Sequence, residues 1–437
     1  MKKPLAVEAR GAAAQVLPAR LGKERNSIHE FRIAQPRLRN SPFTAWLPPQ
    51  AAISSVARMR RLTADELRRR TLQRQFPPID SRQPEAVLDL FNRLGPIQSQ
   101  VPRAPFLTAA SRLPGVSYKM INGLFEEHRL LKTSSLRGTV HTSTRDQFGW
   151  LDAVARRSRA AQLRNYLKLD RLTPEDVVTE VEAFADAEWR SRADIVAHLR
   201  EWLVERESPA SATAVQDALP ESLLWGHSGL LRRPRDHRWE KRTDIYHRRA
   251  RSVLPEIETY EFSTALSELV RVHLGSYGPA TRQDLSFFFG TTLRAVDTAV
   301  RDLGADIVQL EGPEEKRYLD LGDAPTDGQE DPGLRLLPEY DGLLVGYAGT
   351  NRTRFLTAQQ LPSVWAKVNG LFTPIVLYGG HIVATWKTLA AGQRTAIEVR
   401  MLDPHPPTPE HLFADAVAAT EEVLGLRIDD VRVLAAN

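Results

Sequence analysis

Cysteine is absent from all 437 residues, which removes disulfides, thiolate metal sites, iron–sulfur clusters and any cysteine nucleophile. It fits a reducing compartment without demanding one. The chain also lacks a long apolar run suited to a membrane. Its longest stretch without Lys, Arg, Asp or Glu, Val368 to Trp386, is interrupted by Pro374 and Gly379-Gly380, and it reads as two strands joined by a glycine turn. His-Glu-x-x-His, Walker and dinucleotide patterns do not occur. Gly226-His227-Ser228-Gly229 lacks the two-glycine frame of a nucleophile elbow. No metal, no cofactor and no membrane partner is expected.

What is present is an ordinary globular composition, 42% apolar and 26% charged, enough for about two to four domains with cores of their own. The net charge of +5 misleads, because Lys2, Lys3, Arg10, Arg20, Lys23, Arg25, Arg32, Arg37, Arg39 and Arg58 face only Glu8, Glu24 and Glu30. Residues 1–58 therefore hold +7 and the remainder −2, so any basic surface must come from local clusters. Such clusters exist at Arg156, Arg157, Arg159, Arg164 and Lys168, and between Gly229 and Arg251, where nine basic residues meet three acidic ones. Residues 1–58 show no apolar period and no secretory core, and read as a disordered extension. They resemble a transit peptide superficially, but a start codon set upstream of Met59 is the simpler account. The expected location is cytoplasmic, beside the nucleoid.

Organised structure is predicted from Thr63, which forms a capping box with Glu66 while Leu62 and Leu67 staple the helix that follows, to about Gln75. A second helix starts near Pro84, stacks Val87, Leu88, Phe91 and Leu94 on one face, and stops at Gly95. Then come Gln98-Ser99-Gln100, helices over Phe106 to Arg112 and Tyr118 to His128, and strands Leu130 to Ser134 and Thr139 to Thr142 joined through Arg137-Gly138. Three helices and a hairpin make a winged helix. The pattern recurs after Thr173 and Ser191, with a basic wing-like region from Leu230 to Arg249, and again over Ser263 to Leu321. Strands and one helix, Pro409 to Gly425, follow a Gly/Asp/Pro-rich linker at Thr326 to Gly333.

The fold class is therefore α+β: about three tandem winged helix-turn-helix repeats forming a curved DNA clasp, plus a C-terminal β-rich domain. The boundaries are 59–145 for the first unit with its Gln-x-Gln segment, 146–255 for the second, 256–325 for the third and 334–437 for the last domain. Winged helices hold DNA through a helix in the major groove and a wing on the backbone. Three in one chain suit a monomer around double-stranded DNA, although such units also serve as protein–protein spacers.

On Gln98-Ser99-Gln100, Arg137-Gly138-Thr139-Val140-His141, Leu337-Pro338-Glu339-Tyr340-Asp341 and Asn369-Gly370 to Trp386, in that order and spacing, the chain resembles the AlkZ/YcaQ-type winged-helix DNA glycosylases from about Met59 onward. Gln100, where relatives nearer YcaQ carry aspartate, places it with the AlkZ-like branch. The resemblance implies a monofunctional glycosylase that hydrolyses the N-glycosidic bond of N7-alkylated purines, including bulky adducts or interstrand crosslinks. It also implies a β-hairpin that probes the minor groove, and His381 beside Gly379-Gly380 suits such a tip. The apolar flanks there equally suit a core hairpin, with Trp386 packed beneath.

An N7-alkylated purine carries positive charge and leaves without strong acid. The protein's task is then to position water at C1′ and stabilise an oxocarbenium-like sugar. A glutamine carbonyl accepts from water while its NH₂ donates to phosphate or sugar oxygen. Residues two apart share a side in an extended segment, and Pro96 and Pro102 disfavour helix around them. Gln98 and Gln100 are thus the expected catalytic pair, with Ser99 turned inward; as exposed loop residues after a helix stop they would do nothing. Arg137, His141, Arg232, Arg233 and His381 are the expected DNA contacts, although His141 equally suits packing beside Arg137. Glu339 and Asp341 are the best carboxylates for the sugar charge, with Pro338 equally marking a turn. The competing reading is a non-enzymatic DNA-binding regulator, which should dimerise on a symmetric site; no dimerising coiled coil or ligand-sensing segment is visible.

Overall fold

The computed structural model describes residues 60–79, 81–213, 227–243, 245–326, 331–366, 370–391, 394–403 and 410–436. The extension at 1–58 and residues 327–330 of the linker at 326–333 lie outside them. The fold mixes helices with separate six-, five- and two-stranded sheets. Among the described residues no helix is long and apolar enough to cross a membrane, and Val368 to Trp386 contributes strand, at Ile375–Tyr378 and the start of His381–Ala391.

The first half of the chain runs α1 (Ala64–Gln75), α2 (Pro84–Leu94), β1 (Ile97–Gln98), α3 (Ala104–Arg112), α4 (Tyr118–Glu126), β2 (Leu130–Ser134) and β3 (Val140–Thr144). After the long α5 (Arg145–Tyr166) follow α6 (Pro174–Phe184), β4 (Arg190–Ser191), α7 (Arg192–Arg206), β5 (Leu230–Arg233) and β6 (Tyr246–Arg249). The strands form one sheet in the order β1-β3-β2-β5-β6-β4. Its halves are mirror-ordered and meet where β2 and β5 pair at Thr133 and Leu231. A third helix–helix–helix–hairpin unit comprises Phe262–Tyr277, Arg282–Phe289, Leu293–Leu303, β7 (Ile307–Glu311) and β8 (Arg317–Leu321).

Local signals set these boundaries. Thr63, Thr173, Ser191 and Thr281 each close a capping box with the acidic residue three positions on, satisfying N–H groups that the first turn leaves unpaired. Gly95 ends α2 at φ 73°, a conformation costly for a side chain.

Chain order and spatial neighbours part company at α1. It was grouped with 59–145 by sequence, but Leu62 and Leu67 pack with Leu310 and Tyr318 of the third unit. Arg74 donates to Asp320 at 2.7 and 3.0 Å and Arg70 at 3.3 Å, all three side chains at most 5% exposed.

The helix α4, in the place where a groove-reading helix is expected, is covered by the protein itself. Phe125 stacks on Trp239 with centroids 4.7 Å apart, Trp239 Nε1–H donates to Glu126 at 2.5 Å, and Tyr118 bonds Glu240 at 3.0 Å. The C-terminal helix Ala414–Leu424 packs alongside. The hairpin between β5 and β6 therefore lies across the first unit, a stacked aromatic pair adding ~1 kcal/mol beyond its burial.

The C-terminal sheet orders Asp430–Leu434, Arg394–Met401, His381–Ala391, Ile375–Tyr378 and β9 (Arg335–Leu337). Ile375, Val376, Leu377 and Ile382 are at most 2% exposed, so the Gly379-Gly380 hairpin is anchored in the core. Trp386 is buried and donates Nε1–H to the Leu337 carbonyl at 2.9 Å.

Candidate active site

Gln98 sits on the edge strand β1, paired with His141 of β3, and is 8% exposed. Its Oε1 accepts from Arg137 Nη2 at 3.0 Å, while Arg137 Nη1 donates to the Phe288 carbonyl. Gln100 Oε1 accepts from the Val140 N–H at 3.2 Å. Both amides are thereby fixed with oxygen toward a protein donor, which leaves one lone pair on each oxygen and an NH₂ group for another partner. Ser99, 1% exposed, turns inward: its N–H donates to Val140 O at 2.7 Å and its hydroxyl to Thr142 Oγ1 at 2.8 Å.

Arg137 reaches Gln98 because its backbone is left-handed, φ 57°, an unfavourable state for a residue with a side chain. Gly290, ending the helix Arg282–Phe289, permits the approach; a Cβ there would lie 3.2 Å from Arg137 Cγ. Tyr340, between the two expected carboxylates, is left-handed too.

Those carboxylates are committed elsewhere. Glu339 accepts from Arg103 at 2.6 Å, and Arg103 also bonds Thr388 at 3.0 Å on the second C-terminal hairpin. Asp341 pairs with Arg112 at 3.0 Å, both side chains 1% exposed, and caps Leu343 N–H. Asp341, Arg112, Tyr277, Tyr340 and Gln98 enclose a cavity of about 10 Å³, about the smallest that holds one water.

His141 is no surface contact, being 1% exposed. Its Nδ1 faces the Thr139 carbonyl at 3.0 Å and Ser135 Oγ at 3.1 Å, so Nδ1 carries the proton and Nε2 lies buried without a partner. Burial first, and then the Arg137 charge, push it down to about 3. Burial lowers His273 to about 4 and depresses His227 as well. For each, the folded value lies below the ordinary 6.5. The unfolded chain thus binds more protons below that pH, and stability falls with pH at up to about 1.4 kcal/mol per unit per histidine. Calorimetry between about pH 7 and 4.5 should show a falling Tm, with a shallower fall in His141→Gln; a pH-independent Tm would contradict the assignment.

Of the remaining expected contacts, Arg232 is 8% exposed and donates to Ser134 Oγ at 3.2 Å, an interior link between β5 and β2. Arg233 lies half-buried over Trp189 at 4.7 Å. His381 is exposed and lines a cavity of about 590 Å³ with Arg68, Gln360 and Asp403, a set that does not include Gln98 or Gln100.

Two residues were missed. Arg242, exposed on the β5–β6 hairpin, donates to the Gln100 carbonyl at 3.2 Å; the run of nine basic residues was its signal, though not its target. Arg352 shares the Phe287 ring with Arg137, and nothing local in the sequence marks it. Among the described residues no group of His, Asp and Glu could hold a metal ion. The arrangement is one of fixed amides and guanidinium groups beside a strand edge, groups that can orient water and phosphate.

Comparison with known proteins agrees on one family. The description "DNA glycosylase AlkZ-like" matches residues 91–424. An interstrand DNA cross-link repair glycosylase of Streptomyces sahachiroi is 21% identical over 334 residues, 72% of this chain and 85% of that protein. The solved structure of Streptomyces sahachiroi DNA glycosylase AlkZ has the same fold, with a TM-score of 0.70 at 19% identity, covering 85% of this chain and 99% of the other.

Proposed function

Because the chain belongs to the AlkZ-like DNA glycosylases, hydrolases of N-glycosyl bonds that act on DNA, we propose that it releases N7-alkylated purines with Gln98 and Gln100 positioning the water and the nucleotide. The observation that carries this reading is the fixed pair of amides. Arg137 and the Val140 N–H hold both oxygens, so each NH₂ points away from its protein donor. A pre-aimed amide loses little entropy when it meets the nucleotide. No general acid is required, since the alkylated base leaves as a neutral molecule; the water that adds to C1′ releases its proton to solvent.

The three helical units are read as winged helices arranged as a clasp. With α4 covered, DNA is gripped by wings and strand edges rather than by a helix of the first unit in the major groove. The protein acts as a monomer on double-stranded DNA, and a site built on a strand edge suits bulky adducts. The cross-link repair named for the Streptomyces relative extends to this chain on that ground. Of the two C-terminal hairpins, the one whose strands are His381–Ala391 and Arg394–Met401 suits the minor-groove probe better than the core-anchored Gly379-Gly380 hairpin, because it brings Thr388 to Arg103, just past Gln100.

Incubation with duplex DNA carrying 7-methylguanine should yield free base and abasic sites. Intact DNA after prolonged incubation, with tight binding to a palindromic sequence instead, would favour the regulator.

A further inference from the structure

Arg352 is 3% exposed. Its guanidinium carbon lies 4.3 Å from the Trp365 ring centroid, 4.9 Å from Phe287 and 5.2 Å from Phe372. Arg137 stands 5.5 Å from the same Phe287 centroid and 5.4 Å from Phe288, so one ring separates two guanidinium groups. Neither forms an ion pair among the described residues. Elsewhere, Arg74, Arg103 and Arg112 each have a carboxylate. Arg352 has no hydrogen-bond acceptor among the described residues, and its Nε is buried without a partner.

The nearest acidic influence is Asp284, but its oxygens are occupied by Asn351 Nδ2 at 3.1 and 3.0 Å, the Ala348 N–H at 2.8 Å and the Thr281 N–H at 2.9 Å. Burial lowers both arginines to about 10, Arg137 also through the Arg352 charge. Both stay protonated near neutrality, so two cations sit together with no carboxylate in ion-pair reach among the described residues, a costly state unless an anion arrives. Glu339 and Asp341 cannot supply it, being paired already.

We infer that Arg352, with Arg137 across Phe287, binds a backbone phosphate of the damaged strand beside the nucleotide held by Gln98 and Gln100. The inference rests on the proposed glycosylase reading and deepens it. A cation next to Gln98 opposes positive charge on the sugar. Once a phosphodiester neutralises the pair, that opposition falls, and the substrate's own phosphate becomes the closest anion to the oxocarbenium-like carbon. Arg352 is then a positioning residue, and Arg137 links phosphate to glutamine through its 3.0 Å bond. The planar fork suits bidentate phosphate contact, which a lysine cannot reproduce.

The test measures binding of the full chain to duplex DNA carrying 7-methylguanine over a range of KCl concentrations, alongside single-turnover base release. Arg352→Gln should lower the slope of log K against log [salt] by about one and weaken binding about five-fold near ~150 mM, without lowering the Tm. Arg352→Lys should keep the slope and lose about ten-fold in single-turnover rate. An unchanged slope in the glutamine variant overturns the inference. So does wild-type base release by the lysine variant, which carries the test if the glutamine variant fails to fold. The slope is read without catalysis: a wild-type protein that binds with the expected slope but releases no base would instead sink the glycosylase reading.

Discussion

Gln98→Ala is expected to slow release of 7-methylguanine by on the order of 10²-fold or more with DNA affinity nearly retained, as for loss of an interaction made chiefly in the transition state. The size follows from its surroundings. Gln98 is 8% exposed, held by a strand partner on one side and by Arg137 on the other, so truncation leaves a gap no neighbour can fill. It also removes one of the two acceptors of the Arg137 guanidinium. Gln100, half-exposed and held by one backbone N–H, should show a smaller loss. Gln98→Glu separates two roles. It keeps an oxygen for Arg137 and removes the NH₂, so a slow variant assigns the work to the donor. A Gln98→Glu rate at or above wild type would recast position 98 as the place for a general base. Equal base release by all three variants and wild type would remove the glutamines from the mechanism.

What the sequence discloses here follows the distance over which each interaction acts. Capping boxes, the Gly95 stop and strand β2 are decided by residues at most a few positions apart, and all could be read directly. The inward turn of Ser99 follows from the alternation of an extended segment between two prolines. His141, opposite Gln98 on a paired strand, shares the face of Gln98, where both side chains are covered. Its burial was an available alternative that composition could not decide.

The rest of the site depends on partners far apart in the chain. Arg103 finds Glu339 across 236 positions, Arg112 finds Asp341 across 229, and Arg74 finds Asp320 across 246. A carboxylate beside Pro338 looks equally apt for catalysis whether or not an arginine has claimed it. Trp239 lies in the basic wing-like region from Leu230 to Arg249, yet its ring stacks inside on Phe125. Burial of a charged or aromatic group is settled by which element folds over it, and no local pattern carries that.

The claimed carboxylate Asp341 gives the second large effect. Asp341→Ala should lower stability by about 3–5 kcal/mol, because it strands the Arg112 guanidinium, 1% exposed, inside the protein. Gln75 Oε1 at 2.9 Å and Ser111 Oγ at 2.9 Å remain as neutral acceptors for Arg112, and they place the loss toward the lower end. A carboxylate that stabilised the sugar directly would behave differently, with base release collapsing while the melting curve stayed in place. The double variant Arg112→Met, Asp341→Leu distinguishes the two. Replacing a buried pair by apolar groups of similar volume is commonly neutral or stabilising, so stability should recover to near wild type and the single losses should be strongly non-additive. Base release should recover with it, because Gln98 shares the small cavity behind it with this pair and needs only that the wall be filled. If stability returns but base release stays lost, Asp341 acts on the reaction itself, and the anion opposite the sugar is a protein carboxylate rather than a phosphate of the substrate.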